Sequence, residues 1–131
     1  MIISFRHTVN ALLKGQKTVT RRMWADRTAR CYKVRTWHDA WSALPWIAGA
    51  QRVGIIEATQ DAYREALGDI TLAEVVAEGF PQMSVEDFLA MYCRIFKAQP
   101  ETILWVARFR LVERCVGRRQ QEGGEHEQAS V

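Results

Sequence analysis

Two helix-like stretches lie back to back at 71–78 and 84–97, and the strand-like stretches lie on either side of them. That grouping constrains the fold more than any other feature. A doubly wound parallel sheet needs a crossover helix between successive strands, and helices and strands do not alternate regularly here. Ile2 to Phe5, Thr18 to Trp24, Tyr32 to His38, Arg52 to Thr59 and Thr102 to Val112 are the strand-like segments, each rich in β-branched or large residues. In the last of them, Ile103, Leu104, Trp105, Val106, Phe109 and Leu111 predict that most of the strand is buried. About five or six strands with grouped helices point to an α+β protein built on a small β-barrel with flanking helices and a cleft at its mouth.

The helical segments carry their own start and stop signals. His7 to Lys14 places Val9, Leu12 and Leu13 at helical spacing, and Gly15 follows as a stop. Ser84 is a good N-cap, with Asp87 three residues on as in a capping box. Val85, Phe88, Leu89, Tyr92 and Phe96 then form an i, i+3, i+4 stripe that reads as a core-facing side. Trp41 to Ala50, with Pro45 and Gly49, reads as an ordered loop. A chain of 131 residues suits one domain, placed at 1–113. The Gly-, Gln- and Glu-rich stretch at 114–131 reads as a disordered polar tail.

Several function classes find no support. No run approaches about 18 apolar residues, so a membrane span is not expected. The start, Met1 to His7, lacks a basic segment followed by a long apolar one, which argues against a signal peptide and for a cytoplasmic protein. Cys31, Cys93 and Cys115 are odd in number and widely spaced, so reduced thiols are expected. His7, His38 and His126 match no metal-ligand spacing, and neither metal nor cofactor is expected.

Charge is divided unevenly. The net charge is +3, yet residues 1–53 hold ten Lys and Arg against two acids, a balance of +8, while the remainder stands at −5. A basic half on a small domain is what a phosphate-bearing partner requires, and a merely solvated surface is the plain alternative.

The candidate site lies in that basic half. Gly15-Gln16-Lys17-Thr18-Val19-Thr20-Arg21-Arg22 fits the pattern Gly-x-Lys-x-x-x-x-Arg. In a strand over 18–24, Thr20, Arg22 and Trp24 share one face and Val19, Arg21 and Met23 the other. Lys17 and Thr20 meet on one side only if Lys17 sits in the turn after Gly15. Residues 24–50 hold four of the five tryptophans, Trp24, Trp37, Trp41 and Trp46, among Arg27, Arg30, Lys33 and Arg35. Aromatics beside cations are the ingredients of base stacking over a phosphate track. Most of the four are expected to be packed, with Trp37 and Trp24 the first candidates to stack.

The motif resembles the signature of the ASCH family. The neighbouring features agree in order over roughly 2–112: Leu12-Leu13-Lys14-Gly15 before the motif, Trp24 after it, Val53-Gly54-Ile55-Ile56 at mid-chain, Glu78-Gly79-Phe80 leading into the 84–96 helix, and Trp105 to Phe109 as the closing strand. The resemblance implies a PUA-like barrel and the binding of RNA or of a nucleoside or nucleotide in a basic cleft. It also implies a hydrolytic alternative, since family amidohydrolases remove the acetyl group from acetylcytidine. Their catalytic lysine, threonine and glutamate would match Lys17, Thr20 and Glu78, with Glu74 a rival for the last. Thr20 would be the nucleophile and Lys17 its base. Arg21, Arg22, Trp24, Arg35 and Trp37 would hold RNA or ligand. A ribonuclease-like branch of the family offers single-strand cleavage as a further alternative. A different class altogether is a non-enzymatic protein-interaction module acting through the acidic half or the tail.

Overall fold

The computed structural model describes residues 1–115, so the tail reading from residue 116 onward lies outside the described residues. The order of elements is β1 (Ile2–Ser4), α1 (Val9–Leu13), β2 (Val19–Arg22), α2 (Asp26–Ala29), β3 (Trp37–Trp41), β4 (Arg52–Ala58), β5 (Tyr63–Ala66), a single 3-10 turn (Leu67–Asp69), α3 (Leu72–Ala77), α4 (Val85–Phe96) and β6 (Ile103–Arg114).

The long strand β6 organises the sheet. Its C-terminal half pairs antiparallel with β4, from Ala58 opposite Phe109 to Gly54 opposite Arg114. Its N-terminal half carries a strand on each edge, because Val106 lies opposite both Arg21 of β2 and Tyr63 of β5. β3 pairs antiparallel with β4, and β1 runs parallel to β3. Register shifts interrupt the β3–β4 and β4–β6 ladders, and such irregularities bend a sheet. The outcome is an α+β fold with a curled six-stranded sheet. Gly54 permits one close approach, since a Cβ there would lie 2.6 Å from the Glu113 carbonyl oxygen.

The apolar residues collect into two clusters. Ile3, Phe5, Leu12, Tyr32, Ile56 and Phe109 build the first, inside the curl. Leu67, Ile70, Val75, Phe88, Tyr92 and Leu104 build the second, under α3 and α4. Burying side chains of this size stabilises by about 1.5–3 kcal/mol each. The expected capping of α4 is present: Ser84 Oγ accepts from the Asp87 amide at 3.0 Å. Gly15 ends the first helical segment with φ +76°, a backbone region that favours glycine.

The sequence-based boundaries fail in one region. The strand expected over 32–38 begins only at Trp37. Tyr32 instead continues the turn that closes α2, its amide bonded to the Ala29 carbonyl, and Arg35 adopts φ 72°. A left-handed residue cannot continue a strand, so the chain turns before β3 begins. The four-residue α2 and the short β5 are too brief to show a period. Within β6, Leu104, Val106, Ala107 and Phe109 are buried, whereas half of Ile103 is exposed. β6 continues to Arg114, and buried Cys115 donates its amide to the Val53 carbonyl.

Candidate functional site

Lys17 stands off the strand, in the connection between α1 and β2. Its amide donates to the Ala11 carbonyl, and the next amide, of Thr18, donates to the Ala77 carbonyl at the end of α3. Two helices thus fix this connection. Glu78 is the residue that closes α3, its amide bonded to the Glu74 carbonyl. The same turn therefore delivers Glu78 to Lys17. Lys17 Nζ donates to the Glu78 backbone carbonyl at 2.7 Å and to Oε1 at 3.1 Å. Both residues are 4% exposed.

β2 sends its side chains to two sides, as its alternation predicts. Arg21 reaches α3, donating through Nη1 to Glu78 Oε2 at 2.9 Å and through Nη2 to Glu74 Oε1 at 3.0 Å. Thr20 and Arg22 share the other face, where Arg22 Nε donates to Thr20 Oγ1 at 2.8 Å and Nη2 to the Ser4 carbonyl at 2.6 Å. Arg22 also lies over the Phe5 ring. Glu74 serves as an outer support: Arg108 donates to the same carboxylate oxygen as Arg21, and Arg108 is itself held by the Tyr63 hydroxyl. Tyr92 locks the strand from the helix side by donating to the Arg21 carbonyl at 2.8 Å.

Burial sets the electrostatics. It pushes the Lys17 ammonium below its ordinary value; Glu78 opposes this, and Arg22 adds to it. The Arg21 guanidinium also loses solvation, but Glu78 and Glu74 outweigh that and raise it. Arg22 is lowered by burial, with Glu78 pulling the other way. Desolvation would raise Glu74, but the hydrogen bonds from Arg108 and Arg21 bring it below the usual carboxylate range.

These groups converge on one cleft of about 430 Å³ at the seam between the two apolar clusters. Lys17, Thr20, Arg21, Arg22 and Glu78 all line it. Lys17, Thr20 and Glu78 thus line one cleft, while Glu74 stands behind Arg21, outside the lining. Its walls are apolar. Phe5 comes from the first cluster, and Phe80, Met91, Tyr92, Ile95 and Phe96 from the second helical region, with Leu44 reaching in from the loop after β3. The α4 stripe is therefore more than a core-facing side. The missed signal was its width: Met91 and Ile95 extend the apolar face beyond what the core uses, leaving Ile95 and Phe96 substantially exposed.

Three expected ligand residues are not in the cleft. Trp24 packs against Tyr32 and the first apolar cluster. Arg35 sits in the turn before β3, its amide bonded to the Ala58 carbonyl. Trp37 lies on β3 opposite Glu57 and is 58% exposed. Arg35 turns the chain before β3 begins, whereas Trp24 is held away from the cleft by its packing on Tyr32. The basic half is split likewise: Arg27, Arg30, Lys33 and Arg52 lie outside the cleft, and Lys33 and Arg52 pair with Asp61 and Asp39. Among the described residues, no group of three His, Cys, Asp or Glu is placed to hold a metal ion, and no helix is long and apolar enough to cross a membrane.

In comparison with known proteins, no protein-family model matches the chain, and no curated protein is similar to it in sequence. Its fold is similar to that of protein EF3133 from Enterococcus faecalis V583, a crystal structure described by the family model DUF984. The two share 14% identity with a TM-score of 0.63, over 82% of this chain and 71% of that one. At that identity the likeness concerns fold: α+β with a curled sheet of five to six strands and a few helices.

Proposed function

We propose that the cleft binds one nucleoside, either free or as an unstacked nucleotide of an RNA strand, within a PUA-like fold of the ASCH type. The observation that carries this reading is the convergence of Lys17, Thr20, Arg22 and Glu78 on the floor of a small cleft with aromatic walls. A volume of about 430 Å³ is that of a small-molecule site, too small for a long RNA track. A base is a flat apolar ring with a polar edge. Its faces suit Phe80 and Phe96, and stacking of this kind is worth about 1–3 kcal/mol per base. Its edge suits a floor offering Thr20, Arg22 and Glu78. The ASCH-like order of motifs supports the same reading.

A second reading, hydrolysis of an acylated cytidine, is favoured by one further observation. Lys17 is a buried amine that lines the same cleft as Thr20, and burial shifts it toward the neutral form that accepts a proton. In this reaction Thr20 Oγ adds to the acyl carbon while Lys17 takes the hydroxyl proton. Collapse of the adduct breaks the carbon–nitrogen bond, and the proton passes to the departing cytidine amino group. Water then releases the acid and restores Thr20. Arg22, already donating to Thr20 Oγ1, stabilises the charge that develops on oxygen.

The test measures cytidine and acetylcytidine binding by calorimetry, acetate release from acetylcytidine, and cutting of a single-stranded RNA, each with Lys17→Ala alongside. Saturable binding weakened by Lys17→Ala supports the nucleoside site. Acetate release that disappears in the variant adds the hydrolytic reading, and lysine-dependent RNA cutting without acetate release replaces it with strand cleavage. Absence of binding to either nucleoside rejects the proposal.

A further inference from the structure

Beside the cleft lies a second cavity of about 360 Å³, lined by Arg6, His7, Thr8, Lys14, Gln16 and Gly79 among others. The two cavities share Arg6, His7 and Thr8, so they adjoin. They are opposite in character. The cleft has aromatic walls, whereas the second cavity offers two cations, a histidine and polar side chains, with no acidic residue in its lining. Arg21, Arg52, Arg108 and Arg110 each hold a carboxylate, but among the described residues none of Arg6, His7 and Lys14 takes part in an ion pair.

The backbone keeps this cavity next to the candidate site. Gly79 follows Glu78 directly and has φ +107°. A Cβ there would lie 3.0 Å from the Ala11 Cβ and 3.5 Å from Thr8 Cγ2, so glycine lets α1 settle against the end of α3. Glu78 thus faces the cleft while Gly79 lines the neighbouring cavity.

We propose that the second cavity is a phosphate subsite, so that the ligand is a nucleotide whose base enters the cleft and whose phosphate is held by Arg6, His7 and Lys14. This rests on the base-binding reading of the cleft. Unpaired cations on a polar wall suit an oxyanion, and the absence of a carboxylate removes the repulsion that would otherwise oppose it. The phosphate belongs either to a free nucleotide or to an RNA strand.

The experiment compares cytidine, cytidine 5′-phosphate and a cytidine-containing trinucleotide by calorimetry, on the wild type and on Lys14→Glu. Lys14 is exposed and lines the second cavity but not the cleft. The expected result is that the nucleotide binds roughly tenfold or more tightly than the nucleoside. That advantage should shrink as salt rises and be lost in Lys14→Glu, with cytidine affinity unchanged. A trinucleotide tighter than the mononucleotide identifies RNA as the source of the phosphate, and a weaker one a free nucleotide. Equal affinity for nucleoside and nucleotide, or an advantage that survives Lys14→Glu, overturns the subsite. If no base-bearing ligand binds, the base-binding reading has failed. Titration with inorganic phosphate followed by amide NMR then decides the subsite separately: shifts at Thr8, Asn10 and Gln16 that vanish in Lys14→Glu support it, and their absence overturns it.

Discussion

Lys17 and Glu78 are 61 positions apart in the chain, yet the lysine Nζ lies within hydrogen-bonding distance of both the backbone carbonyl and the carboxylate of the glutamate. The pair is unequal in a way that mutation will reveal. Glu78 serves two cations, Lys17 and Arg21, whereas among the described residues the only carboxylate bonded to Lys17 is that of Glu78. Glu78→Gln strands the buried Lys17 and leaves Arg21 to Glu74 and Glu65, and should destabilise by about 3 kcal/mol. Lys17→Met leaves Glu78 bonded to Arg21 and fills a similar volume, so its effect should be roughly 1 kcal/mol. Urea denaturation of both variants measures the difference, and equal losses would contradict the asymmetry.

The same lysine makes stability depend on pH. Burial holds its ammonium below the ordinary value, so the unfolded chain binds that proton more tightly than the folded one. This contribution to stability rises with pH between the lowered value and 10.5. Lys17→Met removes the group, and its unfolding free energy should lack the rise that wild type shows over the alkaline range.

Glu74 acts through Arg21. It holds Nη2 of Arg21 and Nη2 of Arg108, and those bonds keep its carboxyl below the usual range. Glu74→Gln should destabilise by about 1–2 kcal/mol near neutral pH. A carboxylate lowered in the folded state contributes stability above its ordinary value of 4.5 and loses it as pH falls below that. The gap between wild type and Glu74→Gln should therefore narrow in acid, as denaturation at pH 7 and at pH 3.5 will show.

The site was more legible in the sequence than the surfaces around it. Lys17, Thr20 and Arg22 were readable because a short motif fixes their spacing, and Lys17 leaves the strand as the turn after Gly15 requires. Glu78 was readable only through the family resemblance, since its approach to Lys17 depends on the bond between the Thr18 amide and the Ala77 carbonyl, a long-range pairing that no local pattern announces. The cleft wall was hidden for a different reason. Periodicity shows that α4 has an apolar face but not which part of it a neighbour covers. Arg35 lies in a turn because its left-handed backbone delays β3, while Trp24 packs on Tyr32, a tertiary contact that no local pattern announces.

That contrast between wall and surface gives a paired test. Phe96 lines the cleft and is partly exposed, whereas Trp37 is exposed elsewhere. Phe96→Ala should weaken nucleoside binding by about 1–3 kcal/mol and change stability little. Trp37→Ala should leave nucleoside affinity at the wild-type value. Calorimetric affinities of the two variants decide which aromatic serves the ligand; a loss confined to Trp37→Ala would move the site to the face of β3.

A second pH response comes from β3. His38 is buried on β3, stacked on Tyr32 with ring centroids 4.9 Å apart. Its Nδ1 lies 3.0 Å from the Met1 ammonium and its Nε2 2.7 Å from Thr36 Oγ1. Because the Thr36 hydroxyl donates to the Lys33 carbonyl, its oxygen is free to accept from Nε2, which leaves Nδ1 as the acceptor facing the ammonium. A proton on Nδ1 would set two cations against each other. Desolvation, then the neighbouring ammonium, push the imidazole down to about 4, with Asp39 opposing. The neutral ring therefore contributes stability above 6.5, and this contribution is lost progressively as the pH falls toward 4. The thermal midpoint of wild type should drop over that window, and His38→Gln should flatten the drop. An NMR titration of the His38 ring checks the cause directly, and a midpoint near 6.5 would show that burial does not govern it.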